Sequence, residues 1–267
     1  MEDPLLYRDL TYNIRRCIFN VHNHLGVGFD EETYHQGLIR EFKEEGISFF
    51  SKGRRQLNHR GILIREFVLD FLLEDEVILS LKSIPCDFLR ENFIQLFAEL
   101  KIWRKQVGLM ANFGLPKVKI ERMIYHEKAF KIEEDYDFIK KEMAEAEREI
   151  LKKIRQAVIL IGKMHGFGFS KLIYRKLIKA ELEYQKVKIE KGITIPVHYF
   201  DELIRTYKMR HFLIENKIIC GVSALQNTIT HRDISTIKSY LQALNLKIGL
   251  AINFGKSKLE IKGVRGN

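Results

Sequence analysis

A chain of 267 residues allows one or two domains, each large enough to bury a core. At 46% hydrophobic and 30% charged it has a globular composition, and it lacks the run of about 18 apolar residues that a membrane span needs. The formal net charge of +10 points toward acidic partners. Cys17, Cys86 and Cys220 are far apart, odd in number and form no CxxC pair, which argues against a disulfide framework or a zinc knuckle. With an acidic N-terminus that lacks an apolar signal core, they lead to the expectation of a reducing, cytoplasmic setting.

Leu10, Ile14, Ile18 and Val21 recur at helical spacing and predict a helix over 9–25. A second helix is expected near 31–45, ending toward Gly46. Strand-like runs follow at 47–58, 62–73 and 76–83, with turns at Gly61 and Glu74-Asp75. A helix near 88–104 precedes strands at 107–113 and 117–125. Phe93, Phe97 and Trp103 form an apolar stripe on that helix and read as core. His22 and His24 stand on alternate residues and share no helix face, so a structural role is expected. Residues 127–149 carry nine acids and five bases and read as a connector, its later part, FIKKEMAEAEREI, as a helix. Beyond it, helices are expected near 150–164, 170–183 and 230–244. The strands expected there are 185–200, 207–214, 217–223, 247–253 and 258–264.

The two halves share more than their element order. GVGFDEETYHQGL at 26–38 reappears as GFGFSKLIYRKLI, pairing Gly28 with Gly168 and Tyr34 with Tyr174 at an offset of 140. FLLE at 71–74 returns as FLIE at 212–215, and VGLMANFG at 107–114 as IGLAINFG at 248–255, both at 141. A tandem duplication follows, with copy 1 over 1–126 and copy 2 over 150–267. Duplication of a dimer-forming domain would make an internal pseudo-dimer natural.

Gly28, Glu31 and Tyr34 in G-x-x-E-x-x-Y spacing, then VLDFLLE, ILSLK and GLMANFG, resemble in this order the GxxExxY proteins. These are a bacterial family placed with the PD-(D/E)XK nuclease-like fold. The resemblance implies two tandem α/β domains, each with two helices, three strands, a helix and two strands. It also implies a Mg²⁺ site in which carboxylates hold the metal and a lysine helps position or deprotonate its water. In copy 1 the matching residues are Glu31, Asp70, Lys82 and Gln95, but Ser80 stands where the family has the glutamate of E-x-K. Some restriction endonucleases of this fold read S-x-K and take the missing acid from the next helix. Glu91 and Glu99, spaced four residues either side of Gln95, are the candidates for such a migrated metal ligand. In copy 2 the corresponding residues are Lys171, His211, Gly221, Ser223 and Thr236, so no metal chemistry is expected there.

Charge divides the copies as well. Residues 1–126 hold 18 bases and 18 acids; residues 150–267 hold 22 bases and 8 acids, a net +14. Lys171, Arg175 and Lys179 recur every four residues on the helix matching the one that carries Glu31, a face suited to phosphates. Three readings are open: a DNA- or RNA-binding protein with impaired or absent catalysis, an active Mg²⁺-dependent nuclease, or a protein-binding scaffold. No membrane partner is expected.

Overall fold

The computed structural model describes residues 6–266, which form two compact units. The first comprises the residues up to Leu57 together with Arg65–Glu127; the second comprises Asn58–Ile64 and the residues from Lys128 onward.

In the first unit, α1 (Arg8–Leu25) and α2 (Glu31–Glu44) bury Ile14, Ile18, Val21, Tyr34, Leu38 and Phe42 against one face of a five-stranded sheet. That sheet runs β1-β4-β5-β6-β7, from β1 (Phe49–Ser51), β4 (Phe71–Leu73), β5 (Val77–Lys82), β6 (Val107–Asn112) and β7 (Lys119–Ile124). Only β5 and β6 pair in parallel, and helix α3 (Arg90–Trp103) makes the crossover between them. Helix α3 covers the opposite face, where Leu96, Leu100 and Trp103 meet Ile78 and Leu72. Val77, Leu79 and Leu81 point toward α1 and α2, so by the two-residue period of a strand Ser80 and Lys82 share the α3 side with Ile78.

The second unit repeats this plan. Helices α5 (Glu145–His165) and α6 (Lys171–Tyr184) correspond to α1 and α2. Its sheet runs β11-β12-β13-β14-β8, from β11 (Phe212–Ile214), β12 (Ile218–Ala224), β13 (Ile248–Phe254), β14 (Leu259–Arg265) and β8 (Ile132–Asp135). Helix α7 (His231–Ala243) connects the parallel strands β12 and β13.

Several strand expectations change, as does the one for the connector. The run 62–73 is two strands: β3 (Ile62–Val68) forms a separate ladder with β2 (Arg54–His59), and the chain rejoins the main sheet only at β4. The run 47–58 divides in the same way at Lys52-Gly53, and 185–200 holds regular strand only from Thr194, where β9 (Thr194–Tyr199) begins. Strand β9 pairs with β10 (Glu202–Lys208) as a second two-stranded ladder. The connector is not purely helical. Strand β8 pairs in parallel with β14, the short helix α4 (Asp137–Lys140) follows, and α5 starts only at Glu145. Its acids complete the second unit: Glu134 accepts two bonds from Arg155, at 2.7 and 2.8 Å, and Glu142 pairs with Arg265 at 2.9 Å.

The repeated residues hold the same geometry in both units. Gly28 has φ 103° and Gly168 φ 107°, a region side chains rarely adopt. Tyr34 donates to Gly26 O at 2.9 Å and stacks on Phe113 at 4.5 Å; Tyr174 donates to Gly166 O at 2.7 Å and stacks on Phe254 at 4.0 Å. The NFG segments are strand ends that turn tightly, and Asn112 is bonded to Ile84 and Cys86 backbone atoms. His22 is buried and bonds Leu115 O at 3.0 Å, a structural contact.

Candidate functional site

Asp70 sits in the break between β3 and β4, where the chain leaves one ladder for the other. Its Oδ2 accepts from Leu81 N–H at 2.8 Å, which ties it to β5 one residue before Lys82. The turn at Lys52-Gly53 is pinned to the same break by Lys52 N–H to Asp70 O and Leu69 N–H to Gly53 O. That turn brings the Lys52 ammonium to 3.3 Å from Asp70 Oδ1 and 3.5 Å from Glu32 Oε2.

Glu31 is the first residue of α2, whose N-terminus is capped by Asp30 accepting from Thr33 N–H at 2.9 Å. Ser83 Oγ–H donates to Phe29 O at 2.6 Å and holds this turn against the end of β5. The Glu31 carboxylate is half exposed and lies 4.0 Å from Lys82 Nζ. Ser80 is buried in β5.

The two candidate migrated acids separate completely. Glu91 lies exposed in the first turn of α3, whereas Glu99, two turns on, is 2% exposed. Gln95 Nε2 donates to Glu99 Oε1 at 2.7 Å, while Oε2 is buried with no hydrogen-bond partner. Burial pushes the Glu99 carboxyl up to about 7; the Gln95 bond opposes this, Asp70 adds to it, and Lys82 opposes it again. Glu99 therefore shares the field of Asp70 and Lys82.

A divalent cation needs several hard oxygens free to converge. Among the described residues no group of three His, Cys, Asp or Glu side chains does so. Both Asp70 oxygens are engaged, Glu31 faces Lys82, and Glu99 holds a proton up to about pH 7. As arranged, these residues do not fit a Mg²⁺ ion.

Lys52 and His35 were missed in the sequence. His35 is buried, stacks on Phe71 at 4.2 Å and lies 3.4 Å from Asp70 O. Burial, and next the Lys52 charge, lower its basicity. His35 follows directly after the Tyr of G-x-x-E-x-x-Y, which could have flagged it; nothing in the sequence marks Lys52.

In the second repeat the same positions form a cationic cluster. Lys171 is the first residue of α6, whose first turn carries no acid. A positive charge there opposes the helix dipole, whereas Glu31 and Glu32 complement it in α2. Partial burial and then Arg175 and Arg210 lower the basicity of Lys171, with Asp233 opposing. Arg175 is half-buried, its guanidinium lies 4.2 Å from the Phe212 ring, and its Nη1 is buried without a partner. His211 packs edge-on to Tyr240, and a Cβ at Gly221 would come within 2.8 Å of its ring. Burial first, then Lys171 and Arg175, push His211 down to about 4, so the ring is neutral at pH 7.

The three bases of the expected triad stand in different surroundings. Lys179 pairs with Glu183 at 3.8 Å on the solvent side of α6, and Arg175 sits behind the surface. Arg210, exposed between β10 and β11, also acts on the charge of Lys171. Ser223 is buried and bonds Ile252 O, and Thr236 bonds Arg232 O within α7.

No curated protein matches this chain. A solved structure titled "Crystal structure of SSO0001" overlaps 35% of this chain at 16% identity and a TM-score of 0.30; the overlap spans half of that protein's length. The decisive match is to a family model. It covers residues 8–123 and again 148–264, the two segments just shown to share a Gly turn, a buried Tyr and an NFG strand end, and through them the chain belongs to the PD-(D/E)XK nuclease superfamily, with two copies of its domain.

Proposed function

We propose that this protein binds nucleic acid by its phosphates at the second repeat, and that the first repeat is a nuclease-like site without hydrolytic activity. Within the superfamily we assign it to the GxxExxY proteins, with both sites degenerate. The observation that carries the reading is the cluster of Lys171, Arg175 and Arg210 at the N-terminus of α6. There three like charges and a positive helix end meet, and Asp233 opposes the repulsion at Lys171. An anion relieves that repulsion, and helix N-termini favour phosphate oxygens. In the first repeat the corresponding helix start carries Glu31 and Glu32, and Lys52 already serves as the cation.

The test is a binding titration on DNA and RNA at several salt concentrations, comparing wild type with Lys171→Gln/Arg210→Gln and with Lys179→Gln. Each lost phosphate contact removes somewhat under one unit from the slope of log K against log salt. The double variant is expected to lose close to two, and Lys179→Gln none. Wild type is expected to leave the nucleic acid intact in millimolar Mg²⁺ or Mn²⁺. Equal slopes for all three proteins would reject phosphate binding at this cluster and favour a protein-binding scaffold. Cleavage abolished by Glu99→Gln would favour an active first repeat with Glu99 as its migrated acid.

A further inference from the structure

The hairpin β9–β10 and its counterpart β2–β3 have parted in surface. In β2–β3, Leu57, His59, Ile64 and Phe67 are buried. In β9–β10 only Ile195 is, and every residue of β10 is exposed. The tip holds Tyr199 and Phe200, which are 69% and 86% exposed. Phe200 adopts φ 51°, so a large apolar ring is held in a strained turn and presented to solvent. Cross-strand register places Tyr199, Val197, Arg205 and Tyr207 on one face of the ribbon. The Arg205 guanidinium lies 4.9 Å from the Tyr207 ring.

Resting on the phosphate-binding reading, we propose that this hairpin is a stacking arm for unpaired bases of the strand whose phosphates sit at Lys171 and Arg210. Three observations converge. Exposed rings and a guanidinium plane are the surfaces on which bases stack without regard to sequence. The arm is basic toward its root, with Arg205 and Lys208 on β10. It is also close in sequence to the cationic cluster, because β10 ends at Lys208 and Arg210 and His211 follow two and three residues later. At about 3.3 Å per residue, the eight steps from Phe200 to the end of β10 at Lys208 span roughly 26 Å, a length of several nucleotides. An aromatic tip reads bases only where they are unstacked, so the substrate class is single-stranded or locally unpaired nucleic acid.

The experiment measures fluorescence anisotropy of labelled 20-mers: oligo-dT, oligo-rU and an abasic strand with the same phosphates. Wild type is compared with Tyr199→Ala/Phe200→Ala and with Phe200→Trp. The double variant is expected to bind the base-bearing strands roughly tenfold or more weakly. Its binding to the abasic strand, its salt slope and its melting temperature are expected to stay unchanged. Phe200→Trp is expected to keep wild-type affinity. The two base-bearing strands separate DNA from RNA. Equal affinity of wild type and double variant, or wild type binding the abasic strand as tightly as the others, overturns the arm while leaving phosphate binding intact. Failure of wild type to bind any strand at low salt overturns both readings. Loss of a wild-type self-association in the double variant, with nucleic-acid binding unchanged, makes the tip a docking surface for protein instead.

Discussion

The two repeats share a scaffold and differ at one structural junction. In the first, the turn Lys52-Gly53 and the break at Asp70 meet as an ion pair of 3.3 Å. In the second, the corresponding turn carries Gly192, with φ 70°, and the corresponding break carries His211. Both partners of the pair have changed. The helix that starts beside the junction changes in step, from Glu31 and Glu32 to Lys171 and Leu172. Tyr34 and Tyr174, by contrast, are both fully buried and bonded alike. The comparison teaches that the aromatic and glycine framework holds the fold, while the charge at the junction was free to reverse. The framework keeps its shape while the charge at the helix start changes sign.

The largest expected effect breaks the comparison at Glu99, which has no acidic equivalent in α7. Its carboxyl is pushed up to about 7 from an ordinary 4.5. Between those values the folded state keeps a proton that the unfolded chain has released, so stability falls as pH rises through that window. The penalty is absent below about pH 4 and complete above about pH 8, where it reaches about 3 kcal/mol. Glu99→Gln keeps the Gln95 contact and removes the charge. It is expected to melt higher than wild type at pH 8 and equally at pH 4. A constant difference across the range would show that Glu99 is not the buried titrating acid.

A smaller effect is expected from Lys52→Gln, which frees Asp70 and Glu32 from their internal cation. Wild type should show no Mn²⁺-dependent stabilisation. The variant is expected to gain roughly 1–2 kcal/mol at tenfold excess of metal over Kd, read as a rise of a few degrees in melting temperature. A shift in wild type of the same size would mean that Lys52 does not stand in for a metal.

The smallest effect concerns His211. Burial first, then Lys171 and Arg175, hold it down at about 4, and a phosphate bound between the two cations would counter their part of the shift and favour protonation of the ring. Binding is therefore expected to tighten a few-fold as pH falls from 7.5 to 5.5. His211→Gln should flatten that dependence without changing affinity at pH 7.5. An unchanged pH profile would place the bound phosphate away from His211.

Much of this was legible in the residues. The 140-residue offset exposed the duplication, and helical and strand periods located α1–α3 and α5–α7 to within a few residues. Gly28 and Tyr34 could be read as framework because they recur where the charged residues do not. The hairpin strands were harder. Runs such as 62–73 show continuous β propensity, yet Leu69-Asp70 hands the chain from one ladder to another, and local sequence does not encode which partner a strand takes. Strand β8 was hidden in an acidic connector because its four exposed residues have no apolar alternation; it exists through its pairing with β14.

The sequence by itself determined the repeat, the α/β elements and the loss of carboxylates from the second copy. Those follow from residue type and spacing along one segment. Only the tertiary structure buried Glu99 and left Glu91 exposed, put Lys52 on Asp70, paired Lys179 with Glu183 and brought Arg210 into the field of Lys171. Each of those outcomes depends on groups far apart in sequence meeting at one point. Burial and electrostatic field are properties of that meeting, and no single stretch of chain carries them.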